Sequence, residues 1–96
     1  MALQFEWDED KAVSNLQKHG VSFDEASTVF TNPLAVLFDD EEHSDDEIRE
    51  IAIGHTILQR LVLVFFTERG EDLIRIISAR KATKRERRDH EEGTRS

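Results

Sequence analysis

The fold of this chain is decided by Arg60-Leu61-Val62-Leu63-Val64-Phe65-Phe66, a run of six apolar residues behind one arginine. A strand that is apolar on both faces belongs in the middle of a covered sheet. The loop at residues 68–72 predicts a hairpin into a last strand, Leu73 to Ala79. Strict alternation along that strand predicts that one face of it carries Ile74, Ile76, Ser78 and Arg80.

Two further strands precede the central run. Leu34 to Phe38 has a strand-like period, and Arg49 to Ile57 alternates apolar and other residues. The acidic run from Asp39 to Glu47 separates them. It has no glycine turn and no fixed ligand spacing, so we interpret it as a solvated loop rather than a metal site.

The N-terminal third predicts a short strand and two helices. Phe5 to Trp7 is strand-like, and Asp8 is placed to cap a helix that ends at Gly20. Ser22 and Glu25 form a capping-box pattern that opens a second helix, which ends at Asn32-Pro33. Two short helices around a glycine also imitate a helix-turn-helix, but the acidic start of the second helix would repel DNA phosphates.

The C-terminal segment is a polar helix. Thr83 and Glu86 form a second capping-box pattern, which predicts a helix from Lys84 to Glu92. It has no apolar stripe, so it is mobile or is held by a partner. We find no repeat and no linker, and therefore assign residues 1–82 and the helix and tail at 83–96 to one domain.

Composition narrows the class of protein. The chain has 96 residues and no cysteine, which excludes disulfides and thiolate metal sites. The N-terminus lacks the pattern of a signal peptide, and no apolar run is long enough to span a membrane. We expect a soluble, cytoplasmic protein with no cofactor and no metal.

Charge is divided unevenly along the chain. The net charge is −8, yet residues 1–50 carry −11 and residues 51–96 carry +3. Six bases and one acid lie between Arg80 and Arg88. Such a basic patch is suited to phosphates or to an acidic partner segment.

Four blocks in order make the chain resemble the BrnT toxin family from about Phe5 to His90. They are Phe5-Glu6-Trp7-Asp8 with Lys11, Asn15 and residues 18–23; Glu25-Ala26 with Val29-Phe30; residues 60–62 through 67–70; and residues 74–82 with Glu86-Arg87. The sequence departs from the family in its acidic loop before Arg49, and in His90 where a tyrosine is usual.

This resemblance implies a RelE-like α+β fold, in which two N-terminal helices pack on a four-stranded antiparallel sheet with a short C-terminal helix. It implies a ribonuclease toxin of a type II toxin-antitoxin pair that arrests growth. It also implies a BrnA-like antitoxin partner, an RNA substrate, and contact with operator DNA only through the antitoxin. No membrane partner is expected.

RNA cleavage of this kind needs alignment, proton transfer and charge neutralisation, because the 2'-hydroxyl of RNA is the nucleophile. Guanidinium groups grip phosphate oxygens in pairs. The catalytic candidates are Arg60, Arg80, Arg49 and His90. In an antiparallel order, Arg60 and Arg80 reach the same edge of the sheet, whereas Arg49 does so only if the register allows.

Several candidates have alternative interpretations. His90 can act as a base near neutral pH, or it can be an exposed residue in a frayed tail. Arg75 can bind substrate or form an ion pair on its strand. Lys18 and His19 can contact phosphate, or can simply complement the helix dipole. The remaining candidates for RNA binding are Lys81, Lys84 and Arg87.

The sequence is therefore consistent with two functional hypotheses. The first is a metal-independent endoribonuclease that uses these arginines. The second is a catalytically inactive RelE-like binding module that acts as a partner or co-repressor. The negative net charge and the histidine at position 90 favour the second, whereas the resemblance and the arginines at the strand ends favour the first.

Overall fold

The computed structural model describes residues 3–41 and 48–93, which form an α+β fold. Its strands are β1 (Gln4–Glu6), β2 (Val36–Asp39), β3 (Glu50–His55), β4 (Leu61–Glu68) and β5 (Leu73–Lys81). Its helices are α1 (Glu9–His19), α2 (Phe23–Ser27) and α3 (Lys84–Gly93). A 3-10 turn at Thr28–Thr31 continues α2, so the second predicted helix is tightened in its second half.

The sheet has five strands in the order β1-β5-β4-β3-β2. The expected four-stranded antiparallel sheet is wrong in detail, because β1 adds a fifth strand that pairs with β5 in parallel. The other three pairings are antiparallel, and β4 lies in the centre as its apolar sequence predicts. The sheet is therefore mixed.

The main core lies between the sheet and the N-terminal helices, on what we call the helical face. It includes Val21, Phe23 and Ala26 from the helical side, and Val62, Val64 and Phe66 from β4. The opposite side, which we call the open face, has a smaller apolar cluster of Ile51, Ile53, Leu61 and Leu63, with Phe65 and Ala82 packed against it. Alternate side chains of β4 thus contribute to the apolar clusters on both faces of the sheet.

A bulge changes the alternation of β5. Phe65 pairs with Ser78 but Phe66 pairs with Ile76, so Ile77 is an extra residue in the ladder. Beyond this bulge it is Ala79, not Ser78, that joins the core of the helical face. The predicted parity, with Ile74, Ile76, Ser78 and Arg80 on one face, is therefore wrong after Ile76.

The predicted helix caps are present, with one difference. Asp8 accepts from the backbone of Asp10 and Lys11, and Gly20 ends α1 with a φ of 69°. Ser22 accepts from the Glu25 amide at 3.0 Å, but the Glu25 carboxylate is engaged elsewhere and does not complete the box. The box at Thr83 and Glu86 is complete, with contacts of 2.8 and 3.1 Å.

No helix in the described part of the chain is long and apolar enough to cross a membrane.

Candidate active site

Arg60 is bound to a buried carboxylate of the second helix. Its Nε donates to Glu25 Oε2 at 2.8 Å, and its NH2 group donates both to Glu25 Oε1 and to the Gly20 carbonyl, the latter at 2.8 Å. Glu25 is only 7% exposed. Two parallel contacts from a guanidinium to a carboxylate form a strong, directional pair. Arg60 therefore joins the start of β4 to the loop between α1 and α2.

The turn before β4 strengthens this pair. Thr56 Oγ1 donates to Glu25 Oε2 at 2.7 Å, and the turn is closed by Gln59, whose φ is 64°. The contact with Arg60 is the largest cause that lowers the pKa of Glu25, against the opposing effect of burial. The carboxylate therefore stays charged, and the positive charge of Arg60 balances it.

Arg80 makes an equivalent pair on the other side of the sheet. Its NH1 and NH2 groups donate to the two carboxylate oxygens of Glu86 at 2.7 and 2.8 Å. Its guanidinium carbon lies 5.8 Å from the centre of the Phe65 ring, a cation-π distance. The contact with Arg80 is the main reason that the pKa of Glu86 is lowered to about 2. Arg80 thus holds α3 against the open face.

Arg60 and Arg80 reach the same end of the sheet, but their side chains do not meet there. Both lie at the same end, since Leu63 pairs with Arg80 and the Ala82 amide donates to the Leu61 carbonyl. Their side chains nevertheless lie on opposite faces, because Arg60 contacts α2 and Arg80 contacts Phe65. The bulge at Ile77 is the physical reason, since without it Arg80 would share the face of Ile76.

The open face instead brings Arg80 together with Arg49. Both line a cavity of about 310 Å³ at the end of β5, together with His19 and the bulged residue Ile77. A neighbouring cavity of about 500 Å³ shares Arg80 and extends over Phe38, Phe65 and Glu86. Two guanidinium groups, an imidazole and the carboxylate of Asp40 therefore border one space, beside two aromatic rings.

His90 is half-buried on α3, one helical turn after Glu86. Its ring centre lies 6.3 Å from that of His55, which ends β3 on the open face. Burial, followed by the charge of His55, lowers the pKa of His90, while Glu91 acts in the opposite direction. His90 is therefore neutral at pH 7 and is able to accept a proton. It belongs to a folded helix and not to a frayed tail.

The other candidates for RNA binding are dispersed. Arg75 pairs with Glu6 of β1 at 2.8 Å, which agrees with its alternative interpretation as an ion-pair residue. Lys81 extends from the end of β5 on the helical face, where its charge helps to lower the pKa of Glu25. Lys18 lies exposed in the last turn of α1, and Lys84 and Arg87 lie exposed on α3. Only His19 lines the cavity that Arg49 and Arg80 share.

Three residues at the site were missed from the sequence. Glu86 was recognised only as a cap, although a carboxylate six residues after an arginine can fold back on it. No motif in the sequence marks His55 as a site residue. Asn15 was noted only within a motif. Its carboxamide contacts both the amide and the carbonyl of Ala79, at 3.0 and 2.8 Å, and so fixes β5 beyond the bulge.

Among residues 3–41 and 48–93, no three His, Asp or Glu side chains are grouped so as to hold a metal ion. Most of the acidic run considered above, residues 42–47, lies outside the described residues.

Comparison with known proteins shows the family of this chain. The model of a family described as the ribonuclease toxin BrnT of type II toxin-antitoxin systems matches residues 7–86. The chain belongs to the BrnT family. It is thus a ribonuclease toxin of a type II toxin-antitoxin system, which implies an antitoxin as its partner.

A solved BrnT supports the same assignment. The crystal structure of the ribonuclease toxin BrnT from Brucella abortus matches with a TM-score of 0.66 and 26% sequence identity. The match covers 86% of this chain and 100% of the Brucella chain. No curated protein sequence matches significantly.

Proposed function

We propose that this BrnT family member cleaves RNA on the open face of its sheet, by attack of the 2'-hydroxyl on the adjacent phosphorus. The observation that carries this proposal is the shared cavity of Arg49, Arg80 and His19. Three groups that can bear positive charge line that space beside the single carboxylate of Asp40, and this balance favours a phosphodiester there. The aromatic rings of Phe38 and Phe65, in the adjoining cavity, provide surfaces on which bases stack.

Arg80 is the principal phosphate ligand in this proposal. Its pairing with Glu86 points both terminal nitrogens along the open face, and the phosphate oxygens replace or share that carboxylate. Guanidinium stays charged at every pH of interest and binds two oxygens at once. Arg49 adds a second positive charge as negative charge develops at the phosphorus.

His90 is the proposed general base. Its neutral imidazole takes the proton of the 2'-hydroxyl as the new oxygen to phosphorus bond forms. The bond from phosphorus to the 5'-oxygen breaks, and His55 or water gives that oxygen a proton. The products are a 2',3'-cyclic phosphate and a 5'-hydroxyl. No metal is required, since the RNA supplies the nucleophile and the arginines stabilise the negative charge that develops at the phosphorus.

The role of Arg60 as a catalytic residue remains a prediction. Its position on the helical face, in contact with Glu25 and Gly20, supports a role in stabilising the fold. The contacts of Lys18, Arg75, Lys81, Lys84 and Arg87 with RNA likewise remain predictions. Of these, Lys84 and Arg87 are favoured by their place on α3, which carries His90.

The partner in this proposal is an antitoxin similar to BrnA, and the toxin reaches operator DNA only through it. The basic segment from Arg80 to Arg88 would then belong both to the RNA site and to the surface that the antitoxin covers. An antitoxin bound there blocks cleavage by occupying the site.

Product chemistry tests the reaction directly. Purified protein is incubated with a labelled RNA in EDTA, and the product ends are identified by mass spectrometry. Cleavage to 2',3'-cyclic phosphate ends, unchanged by EDTA, is the expected result. A parallel reaction on the same RNA with 2'-O-methyl groups should give no product. Absence of cleavage together with absence of growth arrest on expression would favour the inactive binding module instead.

A further inference from the structure

The backbone groups at the two edges of the sheet are paired to different extents. At one edge β1 pairs with the first part of β5, and Asn15 satisfies both backbone groups of Ala79 beyond it. At the other edge lies β2, whose only strand neighbour among the described residues is β3. An edge strand with unpaired backbone groups is a template for another strand.

Three of the four side chains of β2 are apolar, and they are exposed on both faces of the sheet. Val36 is 45% exposed, Leu37 57% and Phe38 46%. Leu34, two residues before this strand, and Ile48, two residues before β3, are more exposed still. Proteins usually protect an edge with charges, proline or a bulge, and Val36 to Phe38 carry none of these. The surface is suited to a strand that covers it.

The register shows which backbone groups point outward. The Asp40 amide donates to the Arg49 carbonyl at 2.9 Å, so this pair belongs to the hydrogen-bonded set of the ladder. Alternate residues of an antiparallel strand turn their amide and carbonyl to the same side. Val36 and Phe38 therefore bond to β3, and Leu37 and Asp39 present their backbone groups to the outside.

Negative charge gathers at the end of this strand. Asp39 pairs with Glu50 in the register of β2 and β3. Burial, a hydrogen bond with Glu68 and the charges of Glu68 and Asp39 raise the pKa of Glu50 to about 7. A lysine or arginine brought beside Asp39 would relieve this accumulation of charge.

We propose that β2 receives an extended segment of the antitoxin as a sixth strand, with apolar side chains beside Val36 and Phe38 and a basic side chain beside Asp39. The identity of the partner as an antitoxin rests on the proposed function, whereas the edge itself does not. A second copy of this chain is the poorer occupant, because each copy carries a net charge of −8.

Peptides of defined charge test the occupant. One peptide alternates valine and lysine over seven residues, and a matched peptide alternates valine and glutamate. Binding is followed by calorimetry, and amide hydrogen exchange is read residue by residue. We expect the basic peptide to bind and to slow exchange at Leu37 and Asp39 at least tenfold. The acidic peptide should leave both unchanged.

Two variants locate the site. Leu37→Pro removes an outward amide that β3 does not use, and Asp39→Lys reverses the charge beside it. Each should weaken the basic peptide at least tenfold, whereas Asp10→Lys, the same charge change on the exposed start of α1, should not. Leu37 lines neither cavity of the proposed RNA site, so Leu37→Pro should still cleave RNA at the wild-type rate. Failure of this proposal is therefore separable from failure of the reaction.

Three results would overturn the proposal. They are equal binding of the two peptides, protection confined to residues outside β2, and slowed exchange at Leu37 that grows with protein concentration in the absence of any peptide. The last would indicate that a second copy of the chain occupies the edge.

Discussion

Arg80 and Glu86 form a two-point ion pair across the open face, with contacts of 2.7 and 2.8 Å. The same carboxylate accepts from the Thr83 amide, so one side chain caps α3 and fixes its position over the sheet. The cavities that adjoin this pair hold Arg49 on one side and His90 on the other. The site thus depends on a helix that has no buried side chain of its own.

Neutralising Glu86 should release Arg80 to RNA. For Glu86→Gln we expect RNA affinity to rise about threefold to tenfold at low salt, because a charge-assisted competitor is lost. The helix should also unwind in part, seen as a loss of helical circular dichroism. Glu92→Gln makes the same charge change in the last turn of α3 and should alter neither. A fall in RNA affinity would show that Glu86 aligns Arg80 instead of competing for it.

The Arg60 pair should behave as a structural unit. Arg60→Ala leaves the buried Glu25 carboxylate without its main partner, and we expect a loss of about 2 kcal/mol in the free energy of unfolding. In a double-mutant cycle with Glu25→Ala, the second substitution should cost much less than the first. Urea denaturation measures each. Arg75→Ala, which breaks a half-exposed pair, serves as the control and should cost under about 1 kcal/mol.

Contrary results for this pair are equally informative. If Arg60→Ala retained full stability and lost RNA cleavage, Arg60 would act on the substrate, and the structural interpretation would be wrong.

Stability should depend on the proton held by Glu50. Its pKa rises from 4.5 to about 7 on folding, chiefly through burial, so the folded state binds a proton that the unfolded chain has released in this window. Stability is therefore lost as pH rises from 4.5 to 7. Glu50→Gln should be more stable than the wild type by about 1 kcal/mol at pH 8, after allowance for solvent screening, and equal to it at pH 4. Chemical denaturation at both values checks the sign, with Glu71→Gln, an exposed loop substitution, as the control.

The pH profile of cleavage should report His90. A base acts in its neutral form, so the rate should rise with pH, and the midpoint of this rise should lie at a lower pH than that of an ordinary histidine, because burial and His55 lower the pKa of His90. His90→Ala should reduce the rate by about 10² to 10⁴. His55→Ala removes the neighbouring charge and should move the acid limb of the profile to higher pH. An unmoved limb in this variant would show that His90 is not the titrating group.

Much of the fold could be predicted because its determinants are local. The central strand β4 follows from six consecutive apolar residues, and the polar α3 follows from its capping box. By contrast, β1 has three residues, too few for a period to show that it pairs in parallel with β5. Short strands take their partners from packing and not from their own pattern.

The site was harder to predict because the alternation of side chains along β5 changes at a bulge. A contact with a residue far away in the sequence accompanies that change. The bulge at Ile77 has no glycine or other local signal in the sequence. Ala79 beyond it is held by Asn15, which is 64 residues away in the chain. Because β5 contains this extra residue, the Arg80 side chain lies on the open face, whereas Arg60 lies on the helical face. Likewise, the partner of Arg60 is Glu25, 35 residues earlier and recognisable from the sequence only as a helix cap.

The most direct test is single-turnover cleavage of a short RNA by Arg80→Ala, at fixed salt and in protein shown to be folded by circular dichroism. Arg69→Ala, in the exposed loop between β4 and β5, removes the same charge outside the cavities and outside the basic segment. The open-face site predicts a loss of about 10² to 10³ in rate for Arg80→Ala and little change for Arg69→Ala. Full activity in folded Arg80→Ala would contradict it and would place the reaction elsewhere on the molecule.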